Sequence, residues 1–232
     1  VAQKKKVAEG IGIDVRIYPF DAAITTNELR KRIAALVHEE KNTGVIIQLP
    51  LPAHINKQYI LNAIPPEKDV DVLSARAIGS FIVGKSITMP PVAAAIKALF
   101  EEYKIEYQNK HVVILGAGNL VGRPVALWLL QEGVSLSVIT EETDHPERLV
   151  REAGIIISGI GKPHFVKGDM LKDGVVIIDA GTSESAGKLV GDIDPGSVEE
   201  KASYLTPVPG GVGPVTIAML LKNLVMLAMR KK

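Results

Sequence analysis

The sequence contains no cysteine. That excludes disulfides, thiolate nucleophiles and Cys-ligated zinc, and it suits a reducing compartment. Aromatic residues are scarce, at 4%, so the core must be built from aliphatic side chains, as in parallel α/β proteins. Neither charge sign is in excess. The 27 Lys and Arg face 26 Asp and Glu, for a net charge of +1, which argues against a nucleic-acid partner. No uninterrupted apolar run is long enough for a membrane span. His38, His54, His111, His145 and His164 show no metal-ligand spacing, and there is no HExxH, GxSxG or P-loop, so neither a metal nor a serine nucleophile is expected. The first residues, Val-Ala-Gln-Lys-Lys-Lys-Val, lack both an initiator Met and the apolar core of a signal peptide. They read as the inside of a helix, so a true start upstream of Val1 is expected. With no targeting segment in view, the default compartment is the cytoplasm.

What is present is ordinary globular composition: 232 residues, 47% hydrophobic and 23% charged. The length suits one or two domains. Short β-branched runs at 13–17, 45–49, 112–115, 136–140, 155–158 and 175–179 read as strands. Helical patterns lie between many of them. Leu29, Ile33, Leu36 and Val37 share one helical face, as do Val92, Ala95, Ile96, Leu99 and Phe100. The alternation predicts an α/β fold of two domains, with a Rossmann-type, mostly parallel sheet in one of them. Met89-Pro90-Pro91 marks one boundary and the Pro/Gly-rich stretch 206–214 a second. The expected divisions are 1–91, 92–205, and a closing segment, 206–232. That last segment is very apolar from Ile217 to Met229 and could return to the first block, in its core or at a subunit contact.

Residues 112–115 are followed at once by Gly116-Ala117-Gly118-Asn119-Leu120-Val121-Gly122 and then by a helical run. Glycines there permit a tight turn and let backbone N–H groups approach a pyrophosphate at the helix N-terminus. The spacing is GxGxxxG, one residue longer than the common dinucleotide fingerprint. Glu141 stands where an acidic residue would bond the ribose 2′-hydroxyl of NAD. No Arg or Ser stands in the turn to hold a 2′-phosphate. Outside this block, Lys4, Lys5 and Lys6 are adjacent, Gln48 precedes Leu49-Pro50-Leu51-Pro52, and Lys68-Asp69-Val70-Asp71 forms a charged turn.

Together these strings resemble the methylenetetrahydrofolate dehydrogenase/cyclohydrolase family. The carriers are Gly44-Val45-Ile46-Ile47-Gln48-Leu49-Pro50-Leu51-Pro52, Pro66-Glu67-Lys68-Asp69-Val70-Asp71, Val121-Gly122-Arg123-Pro124, Gly161-Lys162-Pro163, 176–179 and Thr206-Pro207-Val208-Pro209-Gly210-Gly211-Val212-Gly213-Pro214-Val215-Thr216. The resemblance implies a folate-binding catalytic domain at 1–91 and a Rossmann NAD(P) domain at 92–205. The segment 206–232 would complete the first. It implies Lys4 as the catalytic lysine, Gln48 as the residue that positions it, and Asp71 as the pterin anchor. The loop Pro209, Gly210, Gly211 and Val212 would line the folate site. Gly116, Ala117, Gly118, Leu120, Val121, Gly122, Glu141, Gly159 and Thr216 would line the cofactor site. Tetrahydrofolate substrates, a homodimer, and NADP or NAD as cofactor follow from the same likeness, with Glu141 favouring NAD.

The chain departs from the family pattern at four places. KDVD continues as Val72-Leu73-Ser74-Ala75 rather than Gly-Phe-His-Pro. The usual Pro-Cys-Thr-Pro-x-Gly is Pro90-Pro91-Val92-Ala93-Ala94-Ala95. Gly-Arg-Ser of the cofactor turn is Gly116-Ala117-Gly118, and Cys-His-Ser is replaced near Glu141-Glu142-Thr143. These changes keep two alternatives open: a dehydrogenase that has lost cyclohydrolase activity, and a non-catalytic paralogue that binds folate or dinucleotide.

Overall fold

The computed structural model describes residues 1–185 and 187–230. In chain order its elements are α1 (Ala2–Gly10), α2 (Thr26–His38), α3 (Lys57–Leu61), α4 (Ala75–Ile82), α5 (Pro91–Glu102), β1 (Val112–Leu115), α6 (Gly122–Gln131), β2 (Leu136–Ile139), α7 (Pro146–Glu152), β3 (Ile155–Ser158), β4 (Val175–Asp179), β5 (Ser183–Ser185), β6 (Lys188–Val190), α8 (Pro195–Val198), β7 (Ala202–Leu205) and α9 (Val212–Arg230). Two units result, one comprising Val1–Pro91 with the chain from Ile217 onward, the other Val92–Thr216.

In the first unit, helices begin where side chains can cap them. Thr25 Oγ1 accepts from the Glu28 N–H, Asn56 Oδ1 from Tyr59 and Ser74 Oγ from Ala77, which satisfies orphan donors of α2, α3 and α4. Leu29, Ile33 and Val37 of α2 pack with Ile55, Ile60 and Ile64. A second cluster joins Ala8 of α1 and Val70 to Ile217, Leu220, Leu221 and Leu227 of α9. The strands expected at 13–17 and 45–49 are not formed. Val45 makes a single parallel bridge with Asp69, and 13–17 joins no ladder among the described residues. β-Branched runs favour extended backbone, but a strand also needs a partner chain to exchange hydrogen bonds with.

The second unit holds a five-stranded sheet in the order β2-β1-β3-β4-β7. All four pairings are parallel. β1, β3 and β4 are buried along their whole length, which explains their unbroken apolar sequence. Phe100, Tyr107 and Trp128 form a compact aromatic group, with ring centroids 5.4–6.0 Å apart. The strand order reverses at β1 and β3. In parallel sheets the crevice beyond the carboxyl ends of such strands is where ligands bind.

The second boundary falls inside α9 rather than at residue 206. Thr206 stays with the sheet: its N–H donates to Ile177 O at 3.1 Å and its Oγ1 accepts from the Asp179 N–H at 2.8 Å. α9 also begins earlier than its apolar run, at Val212, because Gly213 and Pro214 lie in the first turn, where a missing N–H costs nothing. By length and composition α9 is long and apolar enough to cross a membrane; Leu220, Leu221 and Leu227 supply a core face, while Val225 and Met229 are exposed. Lys231 and Lys232 of the expected closing segment lie outside the described residues.

Candidate functional site

In the first unit the expected site residues are Lys4, Gln48 and Asp71. Lys4 projects from α1 and is half-buried, whereas its neighbour Lys5 pairs with Glu9 one turn on, at 3.5 Å. Burial pushes the Asp71 carboxyl up to about 6. The charge of Lys4 pulls it down, and Asp69 pushes it up again.

The turn that presents Asp71 is anchored on three sides. Lys68 reaches back to the end of α2, where its Nζ donates to Val37 O and, at 3.0 Å, to Glu39 O. These carbonyls are the negative end of the helix, a natural seat for a cation. The Asp69 carboxylate accepts from the N–H groups of Leu73, at 3.1 Å, and Ser74, at 2.8 Å. Burial raises the Asp69 carboxyl, and those donors lower it again. Asn223, a buried polar residue of the apolar α9, donates to Val70 O at 2.9 Å and to Met89 O at 2.8 Å. The roles of Lys68, Asp69 and Asn223 were not read from the sequence. Asn223 could have been suspected as an amide in an apolar helical stripe.

Val72, next to Asp71, has φ 56° and is 1% exposed. A β-branched residue in the left-handed region costs about 1–2 kcal/mol. The turn thus places a β-branched residue in the conformation glycine prefers. Gln48 differs from expectation. Its side-chain amide donates to Leu49 O at 2.8 Å, and no hydrogen bond to Lys4 is found among the described residues. The carbonyl next in sequence lies within reach of the exposed amide and accepts its hydrogen bond.

In the second unit, the glycine turn has the geometry of a phosphate cradle. Gly116 has φ 93°. A Cβ on Gly122 would lie 1.8 Å from Gly116 O, and one on Gly159 would lie 2.5 Å from Val121 Cγ1. The turn therefore closes only with glycine at these positions. Val121 offers no side-chain cap to the start of α6, where the Arg123 N–H donates instead to Gly118 O at 3.0 Å, tying the turn to the helix. Ala117, Gly118 and Leu120 complete the rim, with Gly118 and Leu120 exposed. These residues fit a dinucleotide pyrophosphate.

Glu141 sits just past β2 and is exposed. Its Oε1 accepts from Lys162 Nζ at 2.7 Å, and that bond holds its carboxyl below the usual range. Lys162 belongs to the Gly161-Lys162-Pro163 string, so the sequence held this residue without its role. Pro209 and Gly210 are exposed, Gly210 has φ 110°, and the Gly211 N–H closes the turn on Pro207 O at 2.8 Å. Val212 opens α9 and accepts the Thr216 hydroxyl at 2.9 Å.

A family model described as tetrahydrofolate dehydrogenase/cyclohydrolase, catalytic domain, matches residues 1–71. The NAD(P)-binding domain of the same family matches residues 90–232. The chain belongs to the tetrahydrofolate dehydrogenase/cyclohydrolase family. A relative named bifunctional protein FolD, from Bacillus licheniformis, is 40% identical over 231 residues, spanning 99% of this chain and 81% of the relative. Its namesake from Lactobacillus delbrueckii is 38% identical over 100% of this chain and 82% of its own. Among solved structures, the bifunctional FolD of Campylobacter jejuni superposes with a TM-score of 0.95 at 40% identity, over 100% of this chain and 83% of that one. The Trypanosoma brucei enzyme, solved with NADP and an inhibitor, gives 0.93 at 35% identity over 99% and 81%.

Proposed function

We propose that this chain is a bifunctional enzyme of one-carbon metabolism, a 5,10-methylenetetrahydrofolate dehydrogenase that is also a 5,10-methenyltetrahydrofolate cyclohydrolase. Membership in a family whose similar members are named bifunctional supports this. The observation that carries it is the match of both domains of this family to the chain, the catalytic domain over residues 1–71 and the NAD(P)-binding domain over residues 90–232; Lys4 and Asp71 are the residues the resemblance assigns to catalysis and pterin binding.

The dinucleotide, when bound, supplies the hydride acceptor. Gly116, Gly118 and the first turn of α6 would hold its pyrophosphate, and Glu141 its adenosine ribose. For hydride transfer the protein contributes positioning more than acid–base chemistry. Asp71, ionised, accepts paired hydrogen bonds from the pterin ring. The cyclohydrolase step adds water to the methenyl carbon and opens the ring. Both protons leave the attacking water as its oxygen becomes the formyl carbonyl; one reaches the departing nitrogen and the other is released to solvent. Lys4 is the group we assign to these transfers. Gln48 lies exposed on the same unit, and a ligand that competed for its amide would free it from Leu49 O.

We assign NAD as the preferred acceptor. Glu141 would accept from the 2′-hydroxyl and repel a 2′-phosphate, and the cofactor turn has no Arg or Ser. Lys162 pulls the other way, because freed from Glu141 it could receive a phosphate. A homodimer and a cytoplasmic location rest on the family likeness and on the absence of cysteine. The test is reduction of NAD and of NADP by 5,10-methylenetetrahydrofolate, in parallel with the decay of 5,10-methenyltetrahydrofolate absorbance without dinucleotide. Activity in both assays is expected. Dehydrogenase activity alone would favour loss of the hydrolytic step.

A further inference from the structure

We propose that Asp192 is a positioning residue for the dinucleotide: its buried carboxylate fixes residues 158–162 as one wall of the crevice beside the glycine turn. The inference rests on the reading of the second unit as a dinucleotide site.

Asp192 is 0% exposed. Its carboxylate accepts three hydrogen bonds, all from the end of β3 and the loop that follows. The Ser158 hydroxyl donates at 2.8 Å, the Ile160 N–H at 2.9 Å and the Lys162 N–H at 2.9 Å. Among the described residues no cationic side chain pairs with it. A buried carboxylate without a counter-ion survives only when donors surround it. Here those donors are the loop itself.

A second buried acid holds Asp192 in turn. Asp179 ends β4, where it is in register with Ser158 of β3. Its carboxylate accepts from the N–H groups of Gly181 at 2.9 Å, Asp192 at 3.2 Å and Ile193 at 3.0 Å. The packing leaves no space for side chains between them. A Cβ on Gly181 would lie 2.2 Å from the Asp192 carboxyl carbon, and one on Gly191 would lie 1.9 Å from Asp179 Oδ2.

The loop held this way is the part of the unit that meets the glycine turn. A Cβ on Gly116 would lie 3.0 Å from Ile160 Cγ2 and 3.1 Å from Gly159 O, and Gly159 packs on Val121. The same loop carries Lys162, whose backbone N–H binds Asp192 while its Nζ binds Glu141. One carboxylate therefore sets both the distance from the loop to the phosphate cradle and the seat of the Glu141 partner. Asp192 itself touches no reacting atom.

Asparagine at this position offers one acceptor and an amide NH2 where three donors now converge, so at least one N–H is left facing another donor. Dinucleotide affinity is read by titration calorimetry on the full chain with NAD and with NADP. The cyclohydrolase rate is read on the same preparations without dinucleotide. Asp192→Asn is expected to raise the dinucleotide Kd about tenfold while the cyclohydrolase rate stays that of the parent. Ser158→Ala removes one donor and leaves the carboxylate two N–H partners, so it folds more safely; about a threefold rise is expected. Should Asp192→Asn fail to fold, Ser158→Ala decides. A Kd unchanged in the folded variants overturns the proposal, as does a parallel loss of both readouts in Ser158→Ala, which would make the network merely structural. A parent chain that binds neither dinucleotide would refute the dinucleotide reading first and this proposal with it, a result distinct from unchanged variants.

Discussion

The two units solve opposite electrostatic problems. In the first, a carboxyl group is placed where burial opposes its charge. Burial pushes the Asp71 carboxyl up to about 6, with the charge of Lys4 lowering it and that of Asp69 raising it. In the second, Asp192 is more deeply enclosed, yet three donors meet its carboxylate. In the reading proposed above, the first arrangement keeps a group reactive toward ligand and proton. The second keeps a backbone still. A site that must exchange hydrogen bonds with a substrate leaves its acid under-partnered, whereas one that only shapes a wall satisfies it completely.

Four substitutions sharpen this contrast. Lys4→Ala should lower the cyclohydrolase rate about 10³-fold while sparing part of the dehydrogenase activity, measured on one preparation. Equal loss of both would end the division of labour between hydride positioning and proton transfer. Gly122→Ala pushes a methyl group into Gly116 O. It should weaken dinucleotide binding about 100-fold and leave cyclohydrolase activity in place, which calorimetry and the dinucleotide-free assay distinguish.

Asp71→Asn should raise the KM for 5,10-methylenetetrahydrofolate about 30-fold and yet stabilise the fold. Because the folded carboxyl holds its proton more tightly than the unfolded one, the native state binds more protons between about pH 4 and 6. Stability therefore falls as pH rises through that window, and the cost stands in full above it. Removing the charge should gain on the order of 1–2 kcal/mol at pH 7.5, allowing for partial exposure, and close to nothing at pH 4. Denaturant unfolding at the two pH values checks this. In the parent, activity should fall as pH drops through about 6, where Asp71 takes up a proton. The smallest effect is expected from Glu141→Gln, which unpairs Lys162. The NADP-to-NAD ratio of kcat/KM should rise about fivefold.

Much of the second unit was legible in the sequence, because a central parallel strand buried on both faces reads as an unbroken apolar run. β1, β3 and β4 fall where those runs do. The glycine turn was legible for a similar reason: Gly122 is demanded by its contact with Gly116 O and Gly116 by its own positive φ, both features of one short segment. The first unit was less so. The runs at 13–17 and 45–49 carry the composition of strands, but pairing depends on a neighbour that composition does not specify. Gln48 and Lys4 were expected to bond, and the nearer Leu49 carbonyl takes the amide instead. Asp192 and the role of Asp69 could not be read from the sequence, because nothing local marks an acid as buried. Only the glycines around Asp192, at 181 and 191, hint at the crowding. Val72 is the reverse case, a sequence departure whose meaning is clear only once its positive φ is seen.

The central claim is that Lys4 and Asp71 in one unit and the glycine turn in the other serve two linked reactions of one folate substrate. It is tested most directly by supplying purified protein with 5,10-methylenetetrahydrofolate and either NAD or NADP, and following both the reduced dinucleotide and the methenyl absorbance. The account predicts dinucleotide reduction, faster with NAD, with the methenyl product consumed as it forms. Folded protein that reduces neither dinucleotide and leaves added 5,10-methenyltetrahydrofolate to decay at its uncatalysed rate would contradict it.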